Sequence, residues 1–128
     1  MGNCRYRFFC AIVILFCTIT ACENDKPPIQ RPDGTWIVSR AQLDMALLDI
    51  QANSGLYSFG RWIGPSGDCE IRAIHLQTAV WDAFAKQGIN SIETQRQIVW
   101  AGEMGHMTVA VMTTSGMLQI DPNTGDLW

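Results

Sequence analysis

Cys69, in the stretch SGDCE, is the residue of this chain best suited to nucleophilic chemistry. A cysteine thiolate is a strong nucleophile, and the positive end of a helix dipole stabilises it in the first turn of a helix. Asp68 can cap a helix that begins there. The carboxylates of Asp68 and Glu70 oppose a thiolate, so a cationic partner is required, and a histidine is the usual one.

Two histidines are available as that partner. His75 lies six residues beyond Cys69, about 240° around the axis of the same helix, and so cannot face it. His106 stands at the start of a predicted strand, and Asp121 stands at the end of the next one. With a two- or four-residue turn in TTSG, Asp121 lies opposite Thr108 and shares a face with His106. An odd-length loop without a bulge would place His106 and Asp121 on opposite faces of the sheet.

Cys69, His106 and Asp121 together have the residue types of a nucleophile, a base and an orienting carboxylate. Each of the three residues also has a non-catalytic interpretation. A cysteine can be a buried inert thiol, a histidine at a strand start is often an edge residue, and an aspartate before proline often begins a turn. The prediction of a catalytic set therefore depends on the joint placement of the three residues.

Two helices must position this set. The first begins at Ser39, which has capping-box spacing to Gln42, and it ends within residues 53–55. Its apolar face is formed by Leu43, Ala46, Leu47 and Ile50. The second runs from Asp68 or Cys69 to Lys86, with Gly88 as its C-terminal stop. Its apolar face is formed by Ala73, Leu76, Val80, Ala83 and Phe84.

Three strands follow the second helix, at about 92–100, 107–113 and 117–121, and TTSG forms the last hairpin turn. A short strand in TWIV precedes the first helix. Helices followed by an antiparallel meander predict an α+β fold, with the Cys-bearing helix packed on a sheet of about three strands. No Cys and His spacing suits zinc, and the methionines are assigned to packing.

The first 22 residues, MGNCRYRFFCAIVILFCTITAC, have the features of an export signal. Arg5 and Arg7 precede a short apolar stretch, and ITAC resembles the lipobox of bacterial lipoproteins, in which the cysteine is lipidated and becomes the first mature residue. We expect a signal peptide at 1–21, a lipidated Cys22 with an extended tether at 22–32, and one domain at 33–128. Glu23 favours the outer membrane over the inner one.

Two other interpretations of this segment stay open. MGNC also resembles the start of a myristoylated and palmitoylated protein, although Tyr6 stands where that pattern has Ser or Thr. An uncleaved single-span anchor is the other. All three interpretations attach the domain to a membrane.

Charge and cysteine content limit the partners of the exported form. Without Arg5 and Arg7 it carries seven Lys and Arg against twelve Asp and Glu, a net charge of −5. This balance, without a basic stripe, argues against nucleic acid as a partner. Once Cys22 is acylated, Cys69 has no partner in an oxidising compartment, which indicates a reactive thiol or an intermolecular bridge.

The stretches GDCE, GHMTVAV and LQIDP resemble the transglutaminase-like cysteine proteinases of bacteria, the LapG type, which cleave surface adhesins in the periplasm. Motifs of this family, at similar separations, are G-D-C-E-D-aromatic-A, then H-M-x-L-A-V, then L-x-L-D. The matching residues are Gly67, Asp68, Cys69, Glu70, Ala73, His106, Met107, Ala110, Val111 and Asp121. The resemblance covers about half of the exported form, from Gly67 to Asp121.

The resemblance implies a papain/transglutaminase-like core and acyl transfer. Cys69 would attack an amide carbonyl, His106 would move the proton, and Asp121 would orient the imidazole. The family's acids near the cysteine are associated with calcium. Here Ile71 replaces one of these acids, which weakens the case for calcium at Asp68 and Glu70, and we expect no cofactor.

Arg72 replaces the family's aromatic residue. This departure and Ile71 favour an alternative, a catalytically degenerate lipoprotein that serves as a binding module in envelope or conjugative assembly. In the enzyme hypothesis, the substrate is a protein of the cell envelope. The loop LYSFGRWIGPSG, with Arg61 and Trp62, is then a candidate substrate cleft.

Overall fold

The computed structural model describes residues 25–53, 57–60 and 69–128. The predicted signal peptide, the lipidation candidate Cys22, and the loop residues Arg61, Trp62 and Asp68 lie outside the described residues.

In this part of the chain the order of elements is β1 (Ile29–Gln30), β2 (Trp36–Ile37), α1 (Arg40–Ala52), α2 (Cys69–Lys86), β3 (Thr94–Ala101), β4 (Met104–Thr113) and β5 (Gly116–Ile120). β1 and β2 form a small antiparallel sheet, and the other three strands form an antiparallel sheet in the order β3-β4-β5. The predicted α+β class is confirmed. Within the described ranges, neither helix has the length and apolarity needed to cross a membrane.

α1 begins at the predicted capping box. The Ser39 side chain accepts a hydrogen bond from the backbone N–H of Gln42, whose own side chain accepts one from the backbone N–H of Ser39. The two oxygens of Asp25 accept hydrogen bonds from the backbone N–H groups of Arg40 and Ala41, both at 2.9 Å. These bonds satisfy further backbone N–H groups, which the start of a helix leaves without intrahelical partners. The predicted apolar face of α1 is buried.

Residues 25–32, which we assigned to an extended tether, instead contact the domain. Asp25 caps α1, and Ile29–Gln30 pairs with Trp36–Ile37 as β1. The backbone carbonyl of Lys26 accepts a hydrogen bond from the side chain of Thr114, 88 residues away. The tether prediction is therefore corrected for this segment, because long-range hydrogen bonds hold it on the folded part.

α2 begins at Cys69 and ends at Lys86, as expected. Gly88 adopts φ of +79°, a conformation that side chains other than glycine rarely adopt, and the N–H of Ile89 reaches back to the carbonyl of Phe84 at 2.9 Å. The predicted apolar face of α2 is buried, and the same face also buries Arg72.

The sheet has the expected hairpin register. Thr113 pairs with Gly116 and Met112 with Met117, so that Thr114 and Ser115 form a two-residue turn. β4 begins at Met104, three residues before the predicted start, because a tight turn at 102–103 extends its pairing with β3.

The hydrophobic core lies between the helices and one face of this sheet. On β4 this face carries Met107, Val109 and Val111, and on β5 it carries Leu118 and Ile120. The larger core side chains from the helices are Leu43, Leu47, Ile50, Leu76, Val80 and Phe84. Burial of large apolar side chains of this kind contributes about 1.5–3 kcal/mol each to folding.

Candidate active site

His106 and Asp121 lie together at one end of the sheet. Val109 pairs with Ile120 at the end of β5, and this register places the next residue, Asp121, opposite Thr108, as the hairpin prediction required. His106 Nε2 is 3.4 Å from Asp121 Oδ1, and the two side chains are 30% and 19% exposed. This distance suits an ion pair but is long for a strong hydrogen bond. Nε2 is also buried without a hydrogen bond of good geometry to any described group.

The carboxylate of Asp121 is held by the turn that follows it. Its Oδ1 atom accepts a hydrogen bond from the backbone N–H of Asn123 at 2.7 Å. The backbone carbonyl of Asp121 accepts from Gly125 at 2.8 Å, and its N–H donates to the carbonyl of Asp126 at 2.9 Å. Asp121 therefore begins a turn, and its carboxylate also faces His106.

Cys69 is the first residue of α2, and its thiol is unpaired and partly exposed. Arg72 lies three residues later, on the same side of the helix. Its Nη2 atom donates to the carbonyl of Gly60 at 2.9 Å, and the N–H of Gly60 donates to the carbonyl of Asn123 at 2.6 Å. A continuous path of hydrogen bonds therefore joins the first turns of α2 to the turn that holds Asp121.

Tyr57 forms a second connection between these segments. Its hydroxyl donates to the backbone carbonyl of Pro122, and the side chain is almost completely buried. Burial raises the pKa of Tyr57 to about 12, the nearby guanidinium of Arg72 partly opposes this rise, and the carboxylate of Asp121 adds to it. Tyr57 is thus within electrostatic range of both α2 and the Asp121 turn.

The three predicted catalytic residues are not all joined. Among the described residues, Cys69 Sγ has no hydrogen-bond partner. Met107 and Val109 belong to the face of β4 that packs on α2, so alternation assigns His106 and Thr108 to the opposite face. The structure therefore brings His106 and Asp121 into contact. It places Cys69 at the same end of the domain, with its helix on the other side of the sheet.

The remaining candidate residues are Asp68 and Glu70 beside Cys69, and Arg61 and Trp62 in the preceding loop. Glu70 is exposed, and no group of three or more His, Cys, Asp or Glu side chains within the described residues is placed to hold a metal ion. Asp68, which together with Glu70 is a weak candidate for calcium, lies outside them, as do the cleft candidates Arg61 and Trp62. In the described part of that loop, Tyr57 packs edge-on against Phe59 with ring centroids 5.1 Å apart.

Sequence reasoning missed the hydrogen bonds of Tyr57, Arg72 and Asn123, which connect α2, the preceding loop and the Asp121 turn. Arg72 carried a usable signal, because it lies on the helical stripe that also contains Ala73 and Leu76. A charged residue on an apolar stripe is buried only with partners. The contacts of Tyr57 and Asn123 join segments about 65 residues apart, and no local pattern indicates them.

Comparisons of this chain with protein-family models, curated proteins and solved structures find no match.

Proposed function

We propose that this chain is a membrane-tethered, periplasm-facing cysteine peptidase-like protein with a papain/transglutaminase-like core. It acts on an amide bond of an envelope or surface protein. The observation that carries the proposal is the hydrogen-bond path from α2, through Arg72, Gly60 and Asn123, to the carboxylate that contacts His106. The nucleophile candidate and the base candidate thus belong to one connected end of the domain.

The reaction begins when Cys69 Sγ attacks the amide carbonyl carbon and its proton passes to His106. The backbone N–H of Cys69, which a helix start leaves without an intrahelical partner, is a candidate donor to the oxyanion. The tetrahedral intermediate then expels the amine, which takes the proton from His106, and a thioester remains on Cys69. Water in hydrolysis, or a second amine in transfer, then attacks the thioester carbonyl carbon and gives a proton to His106. The C–S bond breaks, the acid or the new amide leaves, and the Cys69 thiolate takes the proton from His106.

Asp121 has an orienting role in this scheme. Its Oδ1 atom faces His106 Nε2, which leaves Nδ1 to exchange the proton with the thiol. The imidazole is 30% exposed although Nε2 is buried, so the exposed surface lies on the rest of the ring. Catalytic hydrogen bonds are often long without substrate and shorten in the substrate complex. The 3.4 Å separation is consistent with that behaviour.

Membrane attachment through lipidated Cys22 is part of the proposal. Asp25 already contacts α1. Three residues span at most about 10 Å, so a lipid on Cys22 would hold the domain close to the membrane surface. The substrate class that fits this placement is a protein anchored in, or assembled at, the same membrane.

The test is a comparison of envelope proteomes from cells that carry the wild-type chain, Cys69→Ala, or no copy. New protein termini or isopeptide links that require Cys69 would support the proposal. His106→Ala should reproduce the Cys69→Ala result, whereas His75→Ala, which changes the exposed histidine of α2, is the matched control and should leave it unchanged. Full complementation by Cys69→Ala, with no Cys69-dependent products, would contradict the enzyme proposal.

A second candidate function is a binding module of the same fold without turnover. The specific observation in its favour is that His106 lies on the sheet face opposite α2, with no hydrogen bond between Cys69 and a described residue. In the same experiment, a binding module predicts that Cys69→Ala complements fully and that no product depends on Cys69, because binding does not need the thiol.

A further inference from the structure

The two outer edges of the β3-β4-β5 sheet differ. The edge of β5 is covered by the end of the chain, because Gln119 and Trp128 exchange backbone hydrogen bonds at 2.8 and 3.1 Å and Ile120 bridges to Leu127. Along Thr94–Ala101, the outer edge of β3 pairs with no strand in the described part of the chain. An open edge presents unpaired backbone N–H and C=O groups to any extended segment.

One face of β3 next to this edge is apolar and exposed. Thr94 accepts hydrogen bonds from Gln77 Nε2 at 2.7 Å and Trp81 Nε1 at 3.1 Å, which identifies its face as the one beside α2. Ile98 and Trp100 share that face by alternation and are 55% and 67% exposed. A Cβ on Gly105 would lie 3.3 Å from both side chains, so this glycine leaves room for them.

The exposed side of α2 continues the apolar surface. Ile71, Ile74 and Trp81 are exposed and follow helical spacing, so they lie along one side of α2. The hydrogen bond from Trp81 to Thr94 shows that this side borders β3. We call the surface between these three residues and Ile98 and Trp100 the β3 edge groove. Exposed apolar surface of this kind commonly marks an interaction site.

Arg96 adds one positive charge to the groove. It lies between Thr94 and Ile98 on the same face of β3, and it is exposed. Among the described residues it forms no ion pair, whereas Arg31 pairs with Glu93 and Arg40 with Asp44. A cation inside an apolar strip is complementary to a carboxylate on the partner.

We propose that the β3 edge groove binds an extended segment of the protein substrate as a fourth strand. Apolar side chains of that segment lie on Ile98 and Trp100, and an acidic side chain pairs with Arg96. Backbone hydrogen bonds supply affinity in such strand addition, and alternate side chains supply specificity.

The groove leads toward the candidate active site. Val99 is the cross-strand partner of His106, and Trp100 follows it directly. Ile71 lies two residues after Cys69 at the start of α2. A peptide strand paired along β3 therefore reaches the end of the domain that contains Cys69 and His106. The inference rests on the proposed function of Cys69.

A second copy of this chain fits the groove less well than such a peptide. Edge-to-edge pairing would place β3 of one copy beside β3 of another, and Arg96 is the only charged residue of β3. The dimer would bring two cations to the edge without a carboxylate from either strand, and like charges oppose pairing.

The experiment measures peptide binding to the full chain in detergent, with Cys69→Ala to prevent turnover. The probes are two labelled peptides of the length of β3 that alternate Val and Thr, one with a central Glu and one with a central Lys. We expect the Glu peptide to bind the Cys69→Ala protein. Adding Arg96→Glu should lower the affinity for the Glu peptide roughly three- to tenfold and should make the Lys peptide the preferred one. Ile98→Lys should weaken both peptides. Leu48→Lys, at a similarly exposed apolar residue of α1, should weaken neither.

Three results would overturn the groove assignment. In the first, the wild type and Arg96→Glu bind both peptides equally well. In the second, Ile98→Lys and Leu48→Lys lose the same amount of peptide affinity. In the third, sedimentation shows a dimer of the wild type that Ile98→Lys abolishes. Cys69-dependent products that are unchanged in Ile98→Lys and Arg96→Glu would also overturn it while the proposed function stands. Charge-dependent peptide binding without any Cys69-dependent product would support the groove and refute the enzyme.

Discussion

Oδ1 of Asp121 lies 3.4 Å from Nε2 of His106, and the same oxygen accepts a hydrogen bond from the backbone N–H of Asn123. One carboxylate oxygen therefore holds a turn and faces the candidate base. The turn limits the rotation of the carboxylate, and the carboxylate in turn limits the orientation of the imidazole. Substitutions of Asp121 can separate these two roles.

Asp121→Asn should keep the fold and reduce activity. The amide oxygen can still accept from Asn123, but the neutral side chain no longer stabilises a protonated imidazole. We expect a loss of up to roughly 10⁴-fold in kcat, with some turnover remaining. Asp121→Ala also removes the turn acceptor and should lower the free energy of unfolding by about 1 kcal/mol. Turnover and thermal unfolding of both variants check this, and equal stability of the two would argue against the turn role.

Alkylation of Cys69 by iodoacetamide should depend on His106. In the proposed mechanism the imidazole accepts the thiol proton, so His106→Ala should slow the reaction, by an amount on the order of tenfold. His75→Ala is the control and should react like the wild type. Mass spectrometry of the modified peptide over time gives the rates. Equal rates in all three proteins would indicate that Cys69 and His106 do not interact.

Arg72→Met should destabilise the domain. Methionine keeps most of the buried aliphatic volume, but the carbonyl of Gly60 loses its donor. We expect a cost of about 1–3 kcal/mol in the free energy of unfolding. Arg40→Met removes a partly buried i,i+4 pair with Asp44 in α1 and should cost under about 1 kcal/mol. Urea denaturation measures both, and comparable small losses would show that the Arg72 connection is unimportant.

Alkaline pH should reveal the burial of Tyr57. Burial raises the pKa of Tyr57 in the folded protein to about 12 from its ordinary value of 10.0, so below pH 10 both states are protonated and the full contribution to stability is present. Between these values the unfolded chain loses the proton first, and stability falls as pH rises. In a Tyr6→Phe background Tyr57 is the only tyrosine, so phenolate absorbance reports it alone. Tyr57→Phe should remove this part of the pH dependence, and titration near the ordinary pKa would contradict the burial.

Processing at Cys22 can be tested independently of the fold. If the cysteine is lipidated, Cys22→Ser should leave the larger precursor, and globomycin should do the same for the wild type. Mass spectrometry of the mature N-terminus identifies the modification. An unmodified Cys22 in the wild-type protein would refute lipidation at this residue and favour one of the other modes of membrane attachment.

Local interactions could be read from the sequence. The capping box at Ser39 joins residues three apart, the end of α2 depends on Gly88, and the TTSG turn sets the register that brings His106 to Asp121. Each depends on a few consecutive residues and on the periodicity of the apolar side chains. The sequence by itself therefore determined both helices, the meander and one of the contacts in the candidate site.

Other features were decided only by tertiary structure. Asp25 accepts hydrogen bonds from the start of a helix 15 residues away, the Tyr57 hydroxyl donates to the carbonyl of Pro122 across 65 residues, and the buried Arg72 donates to the carbonyl of Gly60 across 12 residues. Alternation shows that His106 and Met107 face opposite sides, but it does not show which side α2 covers. The face that α2 covers is the one that lets the chain bury the most apolar surface while its buried polar groups stay hydrogen-bonded. This balance is a property of the whole chain.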